Sequence, residues 1–555
     1  DEDVSRIGVQ ESQMLNLISG KLVTDLVKTS LGPKGMSKIY IDILDEDTLT
    51  KHGGAFLRKV DVDHPAAKSV IDAVNTVDTH VGDGTTSSAI LIGSLLDNAK
   101  DLLNMGIPVT VIIKGYERSL DYTLNVLDDV KISSNNLDQK IMKQLLVTCL
   151  DGKALFDLYE SQEKILNLMI ESISCIRDFK NNYINTDDIK IEEKIGNISE
   201  TQLIRGTILD KTIDSSAMPR SIDNPKILLI NESLETMKTK SESEIEITSP
   251  EQMSQFLIQE NTDLEILVKK IIDADIDVVI SRKGVNDFVQ EALAQKGIIT
   301  IRRVKYNDLW WLEKATGAKT CKDIHKISVD EIGYAKKIYE KIIGGDKMIF
   351  VEGVNPKSVT LLLRANSKRY LDELHRNALN GFKVLKNFIE NPFIVFGAGS
   401  IEGIIAEKIR NHASTIENKE QIVLERFANS VEEIPLTLAR NIGMNVIDTK
   451  TQLRAKFANS TNKIKWYGVD YNLRKISDMT SSKIIETSIV KQQIFNTAVE
   501  ATNMILNIDD VFMKNQIDNT HCHVDGHVHA HHDGGKSHNH FEQEGLEQRQ
   551  MHQYY

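Results

Sequence analysis

Residues Val81-Gly82-Asp83-Gly84-Thr85-Thr86-Ser87 carry the densest chemistry in the chain. Two glycines flank one carboxylate, hydroxyl side chains follow, and an apolar run starts at Ala89. Gly82 and Gly84 let the backbone approach a ligand closely. Where Thr85 opens a helix, free N–H groups attract an anion. Asp83 offers the hard oxygen that Mg²⁺ takes, and Thr85, Thr86 and Ser87 offer hydroxyls. The pattern reads as a cradle for a nucleotide phosphate and its metal ion. The same residues also read as a capped turn before a helix.

Further glycine turns and polar motifs lie elsewhere. Leu31-Gly32-Pro33-Lys34-Gly35-Met36 comes upstream and His64-Pro65-Ala66-Ala67-Lys68 follows it. Gly397-Ala398-Gly399-Ser400-Ile401-Glu402 comes much later, and Ile505-Leu506-Asn507-Ile508-Asp509-Asp510 lies near the end. No Cys/His or Ser/His/Asp arrangement accompanies these turns, which disfavours an unrelated nucleotide-binding enzyme.

These turns need elements to hold them. Residues 10 to 130 read mostly as helix, with Leu95, Leu96, Ala99, Leu102 and Leu103 at helical spacing. Gly106-Ile107-Pro108 breaks that pattern. From about 200 to 355 short β-rich runs appear at Lys226–Ile230, Asp277–Ile280 and Met348–Val351. Helical stretches alternate with them, and Leu264, Leu267, Val268, Ile271 and Ile272 form one apolar face. That alternation predicts an α/β layer domain. After about 395 the helical texture returns, with Ala498, Ala501, Thr502 and Ile505 on one side. Periodicity alone places three domains in a row.

A chain of 555 residues exceeds one core. The net charge of -13 argues against a nucleic-acid partner. No apolar run approaches the ~20 residues that span a bilayer, so no membrane partner is expected. Cys149, Cys175, Cys321 and Cys522 are scattered, which fits a reducing compartment rather than a disulfide framework. The acidic start Asp1-Glu2-Asp3 has no signal-peptide pattern, so a cytoplasmic location is expected. Residues 516–555 hold nine of the 15 histidines, few apolar residues and no prospect of a core, so disorder is expected. His527-Val528-His529-Ala530-His531-His532 could chelate Zn²⁺ or Ni²⁺, and the segment also reads as a soluble polar tail.

The glycine motifs, in this order, resemble those of the group II chaperonins, the archaeal thermosome and the eukaryotic cytosolic chaperonin. The resemblance runs from about residue 10 to about residue 513. It includes Lys296-Gly297-Ile298, Ile301-Arg302-Arg303-Val304-Lys305 and the stretch from Gly345 to Gly353, which favour the archaeal side. It implies a multidomain α and α/β fold. Both chain ends, 1–135 and 393–515, would form one helical equatorial domain. Residues 136–200 and 355–392 would form a small intermediate domain, and 201–354 an α/β apical domain with a helical protrusion. The protrusion, Ser233 to Asp263, carries a Met253/Phe256/Leu257 face suited to loose apolar contact or to ordinary helix packing. The implied partners are unfolded protein clients and other chaperonin subunits in a double ring.

The implied cofactors are ATP and Mg²⁺. Asp83 matches the family's Mg²⁺-holding aspartate. Gly32, Pro33, Gly82, Gly84, Thr85, Thr86, Ser87, Gly397 and Gly399 fall at nucleotide-binding turns. Lys153 matches the lysine that ends a Thr-x-Leu-x-Ser-Lys run, here Thr148 to Lys153, and Glu486 a glutamate near the base. Two aspartates should orient the attacking water. The first belongs to an Asn-Asp-Gly-Ala-Thr motif, but this chain reads Lys51-His52-Gly53-Gly54-Ala55 and puts His52 there. The second belongs to Arg-Ser-Leu-His-Asp-Ala-Leu, but Arg376 to Phe382 puts Asn380 there. The family's Gly-Gly-Gly-Ala turn is also altered, to Gly397-Ala398-Gly399-Ser400. Slow or absent hydrolysis is the expectation, unless nearby carboxylates such as Asp61 or Asp372 compensate. The chain then reads as an ATP-driven folding subunit or as a non-catalytic subunit that shapes its ring.

Overall fold

The structure is a computed structural model that describes residues 4–7, 9–42, 47–135, 138–153, 159–178, 183–235, 262, 264–322, 324, 327–458, 465–509 and 511–514. The expected helical protrusion, save its first residues and Thr262, and the His-rich tail with Cys522 lie outside the described residues. The chain divides into two units. The smaller holds residues 1–7 and 511–555, and its described part is one antiparallel pair, β1 (Val4–Ile7) with β19 (Val511–Lys514), in the register Val4 to Lys514. The larger unit, residues 8–510, contains everything below.

Helices from both halves of the chain share one apolar core that runs from Leu17 to Leu506. The first half contributes α1 (Val9–Lys28), α2 (Gly53–Lys59), α3 (Pro65–His80), α4 (Thr85–Asn104) and α5 (Val109–Val130). The second contributes α12 (Ser400–Ala413), α13 (Glu420–Asn441), α14 (Val446–Ala458) and α16 (Ser488–Leu506). Helix α4 lies in the middle, with Ile90, Leu91, Ile92, Leu95 and Leu96 all fully buried. A helix that is apolar on nearly every side must be surrounded by others. Helix α1 approaches it so closely that a Cβ on Gly93 would lie 2.0 Å from Thr24 Oγ1. Gly106 turns left-handed at φ 76°, and Pro108 caps the start of α5, so the predicted break falls where the sequence places it.

A second core belongs to α6 (Gln139–Leu150), α7 (Tyr159–Ile176) and α11 (Lys368–Glu390). They pack on a three-stranded sheet in which β14 (Val359–Ala365) runs parallel to β5 (Ile189–Ile195) and antiparallel to β6 (Gln202–Ile204). A small sheet of β4 (Ile132–Ser133), β15 (Phe393–Phe396) and β18 (Ile485–Thr487) joins the two cores. Ile394 and Ile485 face the second core, and Val395 faces the first.

The third layer is a seven-stranded sheet in the order β11-β10-β9-β12-β13-β7, with β8 also paired to β12. Here β7 is Gly206–Leu209, β8 Ser221–Asp223, β9 Lys226–Ile230, β10 Val278–Ser281, β11 Ile299–Ile301, β12 Gly333–Ile343 and β13 Asp346–Gly353. Strands β9 to β11 are parallel and, Lys226 apart, buried because helices cover both faces. Val278 and Ile280 enter one apolar cluster and Val279 the other, the two-residue alternation of a strand. The covering helices are α8 (264–273), α9 (Asp287–Gln295) and α10 (Tyr306–Thr316). The multidomain α and α/β fold read from the sequence is the fold observed.

Two short hairpins escaped the sequence reading. Strands β2 (Lys38–Ile41) and β3 (Asp47–Thr50) interrupt the N-terminal helices, and β16 (Tyr467–Asp470) pairs with β17 (Lys475–Asp478) before the short α15 (Met479–Ser482). Four-residue strands give too few alternations to stand out.

The close approach of α1 and α4 generates a stability test. Gly93→Val should lower the unfolding free energy by about 1–3 kcal/mol, the usual cost of overpacking a tight core. Denaturant unfolding measures it, and an unchanged midpoint would mean that α1 stands off from α4.

Candidate functional site

A cavity of about 800 Å³ opens where the first helical core meets α6 and β18. Each wall follows from a local sequence feature. Gly84 adopts φ 82°, a left-handed turn that glycine enters without penalty, and α4 starts directly after it. No side chain caps this helix start, and Asp83, Thr85, Thr86 and Ser87 all line the cavity. Opposite, Gly32 is left-handed at φ 83°, and its turn is closed by the Gly35 N–H donating to the Gly32 carbonyl at 3.0 Å. Gly32 and Pro33 form that wall. Gly399, φ 77°, starts α12 in the same uncapped way and contributes a third turn.

Ala398 also lines the cavity and is left-handed at φ 57°. A glycine would take this conformation freely, whereas alanine carries strain of about 1 kcal/mol. Gly82 and Gly397 are not among the lining residues. They stand behind the wall for packing reasons. A Cβ on Gly82 would lie 2.7 Å from Lys383 Cβ, and one on Gly397 would lie 2.3 Å from Glu486 Oε1.

Glu486 is fixed by a buried cation. Lys491 Nζ lies 2.7 Å from Glu486 Oε2 and 2.7 Å from Glu402 Oε1. Burial pushes the Glu486 carboxyl up in spite of Lys491, while the two glutamates outweigh burial and hold the Lys491 ammonium charged. Lys153 reaches the cavity from the turn after α6. It is 9% exposed, and its Nζ has no hydrogen-bond partner among the described residues. Burial opposes its charge, but the carboxylates of Asp83, Glu373 and Asp78 keep it protonated. An unsatisfied buried ammonium beside uncapped helix starts suits a polyphosphate anion.

His52 lines the cavity and is 5% exposed. It caps α2, its Nδ1 accepting from the Ala55 N–H at 3.2 Å. Nε2 lies 3.4 Å from both Asp78 Oδ1 and Thr85 Oγ1. Burial drives its pKa down to about 3, although the Asp78 carboxylate pulls the other way. The imidazole is therefore neutral. Because Nδ1 accepts a hydrogen bond, the one proton sits on Nε2.

Burial raises Asp78 as well, but its charged neighbours hold its carboxyl below the usual range. With His52 neutral, the main one is Arg58, which donates to Asp78 Oδ2 at 2.7 Å. Asn380 is buried on α11 and does not line the cavity; its carbonyl lies beside Gly82. Asp61 is exposed, and neither it nor Asp372 lines the cavity. Asp78 is the carboxylate that stands next to His52 instead.

Sequence reasoning missed Lys51, Asp78, Arg58, Asp470, Tyr471 and Lys491. Their signal lies in contacts between distant segments rather than in local motifs. Among the described residues no three His, Cys, Asp or Glu side chains are grouped to hold a metal ion by themselves, and no helix is long and apolar enough to cross a membrane.

Comparison with known proteins agrees with this architecture. The chain matches the TCP-1/cpn60 chaperonin family over residues 23–516. It is 35% identical to thermosome subunit beta of Archaeoglobus fulgidus, over 92% of this chain and 93% of that protein. It is 37% identical to thermosome subunit alpha of Sulfurisphaera tokodaii, again over 92% and 93% of the two chains. A thermosome subunit of Pyrococcus horikoshii is 36% identical over 93% and 94%. Near-complete coverage at this identity extends the likeness through all three layers, and the chain belongs to the TCP-1/cpn60 chaperonin family as a group II chaperonin subunit.

Proposed function

We propose that this chain is a subunit of a double-ring folding chaperonin that binds Mg-ATP in the cavity described above and hydrolyses it slowly or not at all. The reading assigns 1–135 and 393–515 to an equatorial domain, 136–200 and 355–392 to an intermediate domain, and 201–354 to an apical domain that takes unfolded protein. The shared core of both chain halves supports the first assignment. Leu15, Ile18, Leu22 and Leu26 leave an exposed apolar stripe on α1, and Ile39 and Ile41 are exposed on β2, which supports partner subunits. Cys149 and Cys175 are free thiols, which suits the cytoplasm.

The residues fit the nucleotide. Thr85, Thr86, Ser87, Gly32, Pro33 and Gly399 would hold phosphates and sugar, Lys153 would pair with phosphate charge, and Glu486 would face the base end. Asp83 would share Mg²⁺ with phosphate oxygens, the usual arrangement for this ion. Bound Mg-ATP supplies a phosphoryl group whose transfer depends on positioned water and neutralised charge.

The single observation that carries the slow-hydrolysis reading is His52. At a position where the family has a water-orienting aspartate stands a neutral imidazole. Its Nδ1 lone pair is committed to Ala55, and its Nε2 carries a proton. It can donate a hydrogen bond there, but it has no free lone pair to accept a proton from water. Asn380 likewise offers an amide in place of a carboxylate.

The direct test restores both carboxylates. His52→Asp with Asn380→Asp should raise ATP turnover at saturation by roughly 10-fold or more, since a positioned base is worth at least that. Rapid turnover by the unmodified chain would refute slow hydrolysis.

The state of His52 has its own readout. A histidine in the unfolded chain takes a proton near pH ~6.5, whereas folded His52 resists down to about 3. Between those values the unfolded state binds more protons, so stability falls as pH drops through that window. The parent should therefore lose more unfolding free energy than His52→Gln on going from about pH 7 to about pH 5. Equal slopes would mean that His52 is not held neutral.

A third expectation concerns Lys153. Lys153→Met should weaken ATP binding by roughly 10-fold while the unfolding midpoint without nucleotide stays close to the parent's, because among the described residues the buried ammonium has no hydrogen bond to lose and its removal relieves the cost of burying a charge. Unchanged affinity by titration calorimetry would remove Lys153 from the site.

A further inference from the structure

We infer that Lys51 is a positioning residue for the nucleotide: it ties together the two turns that hold the phosphate-facing groups, and it acts through Lys153. The inference rests on the proposed nucleotide reading of the cavity and names a residue which that reading leaves without a role.

Lys51 lies between β3 and α2 and is 7% exposed. Its Nζ donates to the Pro33 carbonyl at 2.9 Å and to the Gly152 carbonyl at 2.8 Å. These carbonyls belong to two separate turns. One follows α1 and carries Gly32 and Pro33. The other follows α6 and carries Asp151 and Lys153. The turns touch: a Cβ on Gly152, φ 70°, would lie 2.1 Å from the Pro33 oxygen. Both carbonyls lie within hydrogen-bond reach of the one ammonium, and a partly buried carbonyl left without a donor is costly. Lys51 supplies that cation and satisfies both groups.

The consequence reaches the cavity because Lys153 follows Gly152 directly. A shift of the Gly152 carbonyl moves the Lys153 backbone, and with it the unpartnered Nζ. The motif that this chain resembles has an asparagine where Lys51 stands. A shorter, uncharged amide cannot bring a formal positive charge to the same two carbonyls. Lys51 thus holds the cradle at a set width before any nucleotide arrives, and such preorganisation favours binding.

Equilibrium titration of the full-length chain with a fluorescent ATP analogue and Mg²⁺ tests this. Lys51→Met should raise the dissociation constant roughly 10-fold. Lys51→Arg, which keeps a cation with several donors, should restore most of the affinity. A merely structural lysine would weaken the fold without a specific link to Lys153, so the double variant is the decisive arm. If Lys51 acts through Lys153, adding Lys51→Met to Lys153→Met should cost little further affinity. Circular dichroism melting checks that each variant is folded, and Lys51→Gln replaces Lys51→Met in the same comparison if the latter does not fold. Parent-like affinity in the folded Lys51 variant would overturn the inference while the proposed function stood, and so would full additivity with Lys153→Met. A parent chain with no affinity for the analogue would overturn the proposed function and this inference with it.

Discussion

Positive potential that no hydrogen bond satisfies among the described residues organises this cavity. Helices α4 and α12 both begin after left-handed glycines with no side-chain cap, and the Lys153 ammonium is buried beside Asp83 without a hydrogen-bond partner among the described residues. A folded chain rarely leaves such groups unsatisfied unless a ligand completes them. Much of the architecture keeps them in place. Gly84 cannot bear a side chain because Ile494 and Val490 of α16 press against it. Gly399 is closed in the same way by Pro435 of α13. The two halves of the chain must therefore pack together before the cavity has walls. Its geometry is a property of the shared core, not of any one motif.

Against that background the water side of the site is unusually quiet. An aspartate placed near the phosphate end would be an acceptor of protons and hydrogen bonds. At Nε2 His52 is neither, because its environment decides its chemistry. Burial removes the charge, the α2 cap fixes the tautomer, and Asp78, itself paired with Arg58, faces the remaining N–H. The result is a polar contact between the start of α2, α3 and the start of α4 that offers no proton acceptor at Nε2.

The fold was largely legible in the residues. Gly-Asp-Gly-Thr-Thr places its helix start at Thr85 because glycine alone enters the required turn and the apolar run after it has to be buried. Val278-Val279-Ile280 reads as a buried strand because only a covered sheet tolerates three such residues in succession. The site was legible in its motifs and opaque in its connections. Asp83, Thr85 and Lys153 meet in one cavity, whereas Gly82 and Gly397 lie just behind its lining, against Lys383 and Glu486. Asn380 is near the site but off its wall. The partners of Lys51 lie 18 and 101 residues away, and no local pattern announces them. The protonation of His52 is set chiefly by its burial and opposed by Asp78, which belongs to neither glycine motif.

The central claim is that this cavity keeps ATP intact. A pulse of radiolabelled ATP with Mg²⁺, removal of free nucleotide, and analysis of what remains bound over time examines that claim in one experiment. The account predicts that the chain retains nucleotide and that the retained label stays mostly ATP throughout its lifetime on the protein. Prompt conversion of bound ATP to ADP would contradict it, and so would a chain that retains no nucleotide at all.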